Sequence, residues 1–212
     1  PNEYLRDPAI DTLLLMMAAR GIHLHNTASH PNGIVHGNDV VIIKGNYQWW
    51  ERFGTSTDRV KGLIRQILSH PDGFTGEIIV CDNTQGGGSV YKIDDNDNNS
   101  EDFPDQSIVD VVNTFRAKGY PVSINDWGIM FNAVTSEYSA GDYTNGFVYE
   151  PATKITYPKF RSSIGGHYVS LKRGIWDSVT ATYDPSRLCI IDFPVLKSHQ
   201  TGGATVAIKN WV

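Results

Sequence analysis

Near its end the chain runs Pro194-Val195-Leu196-Lys197-Ser198-His199, then Thr201-Gly202-Gly203-Ala204-Thr205, then Lys209-Asn210-Trp211, its densest group of chemistry-bearing side chains. Tandem glycines let backbone N–H groups approach an anion, and lysines neutralise its charge. The segment therefore reads as an anion cradle, with Gly202, Gly203 and Thr205 against the ligand and Lys197, Lys209 and Asn210 around it. An imidazole near a cation titrates close to neutrality, so His199 is the candidate proton carrier. Lys197, if desolvated, is a candidate nucleophile or electrostatic clamp. The glycine spacing matches neither a phosphate loop nor a dinucleotide fingerprint, so it specifies no nucleotide.

Weaker patterns lie elsewhere. His23-Leu24-His25 with His30 and His36 could place imidazoles on one side of an extended segment, but no carboxylate or cysteine stands at a diagnostic spacing. Asp94 to Asp102 has the composition of a calcium loop without its sixth-position glycine or twelfth-position glutamate, and reads as an acidic loop. Gly86-Gly87-Gly88 reads as slack or as a second strip of cradle, and Trp49-Trp50 as a pocket wall or core. The two cysteines, Cys81 and Cys189, each sit in a β-branched run, as buried free thiols do. Two cysteines cannot ligate an iron–sulfur cluster, which takes four protein ligands. The sequence specifies no cofactor and no metal.

What must position these groups is a series of apolar strands. Asp39 to Lys44, Glu77 to Asp82 and Arg187 to Asp192 carry nearly continuous apolar runs, as buried strands of a parallel sheet do, and Tyr120 to Asn125 reads as a further short strand. Between them lie helical patterns over Asp11 to Arg20, from Ser56-Thr57-Asp58 to Ser69, and over Gln106 to Lys118, the last with Pro104 ahead of it and Gly119 closing it. Residues 127–186 break this rhythm and read as an insertion of hairpins and loops. The expected fold is α/β: a mainly parallel open sheet with flanking helices and a β/loop insertion before the last strand, in one domain over residues 1–212. Ligands of such sheets bind beyond the carboxyl ends of the strands. Those ends deliver Lys44-Gly45-Asn46, Asp82-Asn83, Asn125-Asp126 and Asp192 to one rim, which adds Lys44, Asn46, Asp82 and Asp192 to the candidate binding residues.

At 212 residues with 40% apolar and 19% charged side chains, the chain has the balance of a folded domain. A net charge of −5 argues against a general nucleic-acid binder, which needs a basic stripe. No apolar run approaches the roughly 20 residues that span a bilayer. The chain begins at Pro1 and stops at Val212 inside an apolar segment, so it is expected to be a trimmed piece of something longer, cytoplasmic or exported.

Over nearly its whole length the chain resembles the domain of unknown function 362 family. The family's Lys-Pro-Asn element after the first strand is seen as Lys44-Gly45-Asn46, its Thr-Asp-led helix as Thr57-Asp58-Arg59-Val60, and its acid-ending strand as Ile79-Val80-Cys81-Asp82. Its Pro-x-Leu-Lys-x-His and Gly-x-Thr-x-x-x-Lys-Asn pattern is matched by Pro194, Leu196, Lys197, His199, Gly203, Thr205, Lys209 and Asn210. Gly45 departs from the family's proline. Members often carry a ferredoxin-like iron–sulfur module, so the resemblance implies redox surroundings and an iron–sulfur module or partner outside this chain.

Two functions follow as expectations. The first is an enzyme on a small anionic substrate or a phosphate-bearing cofactor: Lys44, Lys197 and Lys209 hold the anion, His199 moves a proton, and Asp82 or Asp192 orients a cation. The second is a non-catalytic module that docks a metal, a cofactor or an iron–sulfur partner through Trp49-Trp50 and the aromatic insertion.

Overall fold

The computed structural model describes residues 6–47, 54–84, 100, 106–199, 203–205, 207 and 211. Its centre is a parallel sheet of β1 (Val40–Lys44), β2 (Glu77–Asp82), β3 (Val122–Asp126) and β10 (Leu188–Asp192), in the order β10-β1-β2-β3. All five residues of β1 and all six of β2 are buried. The α/β class and the parallel sheet flanked by helices are therefore as the strand pattern implies.

Successive side chains of a strand point to opposite faces, and the two faces here meet different layers. Val41, Ile43, Ile78, Val80, Val122 and Ile124 pack with three helices, α1 (Pro8–Ala18), α2 (Thr57–Leu68) and α3 (Ile108–Arg116). The helices supply Ile10, then Val60, Leu63, Ile64 and Ile67, then Ile108, Val111, Val112 and Phe115, at the spacing of one helical face. Their ends follow from local chemistry. Asp7 caps α1 by accepting from the Ile10 N–H, and Ser107 and Asp110 form a reciprocal capping box on α3. Gly119, at a φ of +80°, lets the chain leave α3 through a left-handed turn. Ser56 precedes α2 but makes no side-chain cap. Pro104 lies outside the described residues.

The opposite face of the sheet is covered by the 127–186 insertion. That region is more regular than its sequence implies: β4 (Val134–Thr135), β5 (Gly146–Glu150), β6 (Ile155–Arg161), β7 (Tyr168–Ser170), β8 (Gly174–Asp177) and β9 (Thr182–Asp184) follow one another across a second sheet. Apart from the parallel β4–β5 pair, its neighbours are antiparallel. Phe160, Val169 and Ile175 on its inner face meet Val40, Ile42, Ile79 and Cys81 of the parallel sheet. The layers are thus helices, parallel sheet, second sheet. Its strands are short, and their alternation is diluted by outward aromatics, so the sequence pattern does not announce them.

Beyond β10 a small hairpin pairs β11 (Lys197–His199) with β12 (Gly203–Thr205), setting Lys197 opposite Thr205 and His199 opposite Gly203. No helix among the described residues is long and apolar enough to cross a membrane.

Phe160 is fully buried between the two sheets. Phe160→Ala should lower the unfolding free energy by about 3–5 kcal/mol. Far-ultraviolet dichroism and tryptophan fluorescence in urea should still move together, because one core holds both sheets; two separate transitions would contradict that coupling.

Candidate functional site

The carboxyl rim of the parallel sheet is built around a buried ion pair. Lys44, 1% exposed, donates from Nζ to Asp82 Oδ1 at 2.6 Å and to the Gly45 carbonyl at 2.7 Å. Asp82 also accepts from the Tyr47 N–H on Oδ2 and from the Asn83 N–H on Oδ1. One carboxylate therefore ties the end of β2 to the loop leaving β1. Gly45 is required there, since a Cβ would meet the Tyr47 ring at 2.4 Å. The Tyr47 ring lies against this backbone.

The next layer joins that loop to the chain beyond β10. Lys44 is the register partner of Asp192, and the Phe193 N–H donates to the Lys44 carbonyl at 2.8 Å. Thr55 Oγ1 accepts from the Asn46 N–H and donates to the Phe193 carbonyl. Lys197 Nζ lies 3.5 Å from Asn46 Oδ1. At the far side of the rim, Asp126 Oδ1 accepts from the Gly128 N–H, and the Trp127 indole sits 6.1 Å from that of Trp211. The carboxy-terminal segment thus meets the rim twice, at the end of β1 through Lys197 and at the end of β3 through Trp211.

Lys44, Asn46, Asp82, Asp192 and Lys197 are therefore gathered at one edge. Lys44 and Asp82 are joined to each other beneath it. His199 and Thr205 are placed by their backbone in the hairpin, and Gly203 turns there with φ +73°. Gly202, Lys209 and Asn210 lie outside the described residues, as do Trp49-Trp50, Gly86-Gly87-Gly88 and the 94–102 loop apart from Ser100. Thr55 and the Tyr47 backbone are parts of the site that residue type alone does not reveal.

The amino-terminal histidines are engaged in local packing. The His23 and His30 rings stack at 3.5 Å, His25 Nε2 pairs with the Gln66 carbonyl at 2.7 Å, and His70 Nε2 with that of Asn26 at 3.0 Å. Among the described residues no three His, Cys, Asp or Glu side chains come together in a metal-binding group. Cys81 and Cys189 are buried free thiols; burial raises both, Cys189 to about 12.

Two polar clusters have no counterpart in the sequence patterns. At the start of α2, Asp58 accepts from Ser100 Oγ, Gln106 Nε2 and Lys61 Nζ, all at about 3 Å and all buried or part-buried. In the second sheet, Glu137 accepts from Tyr157 OH, Ser170 Oγ and Tyr183 OH at 2.7–2.9 Å. Nearby, Lys159 is fully buried; it donates to the Asp142 carbonyl and lies 4.4 Å from the Tyr138 ring, and burial lowers its pKa. The partners of Glu137 are far apart in sequence, and strand pairing brings β6, β7 and β9 around it.

No family model, no curated protein and no solved structure matches this chain.

Lys44→Met leaves the Asp82 carboxylate buried without its cation and should cost about 3–5 kcal/mol in urea unfolding. A loss below about 1 kcal/mol, the value of a surface pair, would show that the rim does not depend on it. A second test uses pH. Burial holds His25 below its ordinary value of 6.5, against the opposing effect of the Gln66 carbonyl. The neutral ring thus favours the fold, a contribution complete above pH 6.5 and lost as the pH falls through the depressed value. His25→Gln should flatten the decline in stability between about pH 7 and pH 5, measured by thermal melting.

Proposed function

We propose that this chain is an enzyme binding a small anionic substrate or a phosphate-bearing cofactor in the crevice between the carboxyl ends of β1 and β10. These strands are neighbours, yet the connection leaving β1 passes over the helical face while the one reaching β10 comes through the second sheet. Such a switch point opens a crevice into which loops project their backbone N–H groups. The observation that carries the reading is the double docking of the carboxy-terminal segment, with Lys197 at Asn46 and Trp211 at Trp127.

In this reading Lys197 and Asn46 hold the anion. The Lys44–Asp82 pair keeps the floor rigid, so that little ordering remains to be done on binding. His199 moves the proton of an acid–base or redox step. The residues that carry the likeness to the domain of unknown function 362 family, Lys44-Gly45-Asn46, Asp82 and Lys197, meet at this same edge. What that resemblance implies, an iron–sulfur partner for a redox step, belongs to the same proposal.

Native mass spectrometry of the purified protein, followed by calorimetric titration with inorganic phosphate and with adenosine diphosphate, tests the proposal. At least one anion should bind, and Lys197→Ala should weaken it by at least tenfold, equivalent to about 1.4 kcal/mol. His199→Ala should leave binding within a few-fold. Unchanged affinity in Lys197→Ala, with the fold intact, would refute the assignment.

A further inference from the structure

A cleft of about 380 Å³ opens at the other end of the molecule, where the second sheet meets the amino end of β10. Its wall includes His167, Tyr168, Trp176, Asp177, Asp184 and Arg187. Tyr168 and Trp176 are cross-strand partners on β7 and β8, and Asp177 ends β8 beside them. The volume is that of a small-molecule site.

Much of the hydrogen-bonding capacity around this cleft is not used among the described residues. His167 donates its backbone N–H to Ser162 Oγ, but its half-buried ring makes no hydrogen bond among the described residues. Arg187 gives Nη2 to the Asn38 carbonyl, and its Nη1 has no hydrogen-bonding partner among the described residues. Asp184 accepts from Ser186 N–H and Oγ on Oδ1, which fixes the carboxylate, and its Oδ2 has no hydrogen-bonding partner among the described residues. The Tyr168 hydroxyl is likewise unbonded among the described residues. Trp176 is held in place, its Nε1 donating to the Tyr143 hydroxyl at 3.3 Å and its ring 4.7 Å from that of Tyr183.

We infer that this cleft binds a neutral, polyhydroxylated ring, a pyranose unit of a carbohydrate. An anion would face the Asp177 and Asp184 carboxylates, and a cation would face Arg187. A sugar presents both donors and acceptors around its rim, which suits one carboxylate oxygen, one guanidinium nitrogen, an imidazole and a phenol. Burial lowers the His167 pKa, which keeps its ring neutral with one donor and one acceptor. The sugar's C–H faces suit the Trp176 ring in the cleft wall. The acceptors are fixed before binding by their own turns: Asp177 takes the Val179 N–H and Thr180 Oγ1 as Asp184 takes Ser186.

Saturation-transfer NMR with the methyl glycosides of glucose, galactose and mannose tests this on the whole chain. At least one should receive saturation. Asp184→Asn, which keeps the turn-capping oxygen, and Tyr168→Phe, which removes a single hydroxyl, should each weaken its binding by at least fivefold without moving the melting temperature. Lys197→Ala, at the opposite edge of the sheet, should leave it unchanged, so this site and the rim stand or fall separately. No transfer from any of the three glycosides, binding undiminished in both cleft variants, or binding of glutamate or phosphate in their place would overturn the inference.

Discussion

A parallel strand with apolar side chains on both faces must be covered on both sides, and that constraint shapes this molecule. The residues of β1 and β2 leave no face for water, so a layer is needed on each side. Helices α2 and α3 lie in the connections that lead from β1 to β2 to β3 in one direction across the sheet, and right-handed crossovers put both on the same face. The last connection runs back from β3 to β10, beyond β1. With the same hand it must pass over the other face, and the second sheet is the layer it brings there. The cover and the switch point are two results of one reversal in strand order.

The edges of the layers are held by buried carboxylates rather than by apolar contact. Asp82 joins β2 to the loop after β1 at the carboxyl rim. At the opposite edge Glu77 accepts from Ser123 Oγ and from the Ile164 and Gly165 N–H groups, tying β2 and β3 to the turn between β6 and β7. Glu137 gathers hydroxyls from β6, β7 and β9. Each offers several lone pairs to backbone N–H or hydroxyl donors, so each satisfies groups that no strand ladder reaches. Such hubs hold strand ends and loops at set distances. This precision lets Lys197 meet Asn46 across 151 residues of chain.

Close approach adds a second kind of constraint. A Cβ at Gly45 would strike the Tyr47 ring, and one at Gly165 would strike both His167 and Glu77. Both glycines sit beside the two candidate sites, one at each edge of the parallel sheet. Backbone can pass so near a side chain only where the residue has no side chain of its own.

The apolar runs and their punctuation were legible in the sequence because burial on two faces and helix capping are local properties. Val40–Lys44, Glu77–Asp82 and Leu188–Asp192 lie within the runs read from residue type, and Asp7 and Gly119 end helices by their own chemistry. The rule that strands deliver their last residues to one rim placed Lys44, Asp82, Asp126 and Asp192 together. What residue order could not decide was the partner of each. Lys44 and Asp82 both carry charge, and only their 2.6 Å separation in a closed environment makes them a pair beneath the rim. The six-stranded arrangement of residues 134–184, the Glu137 hub and the cleft by Arg187 depend on pairings between short strands whose pattern is weak. The carboxy-terminal segment stands between these cases. Its residue types marked it as a place for chemistry, whereas its position across the edge of the sheet is a tertiary fact, set by which strand lies next to β1.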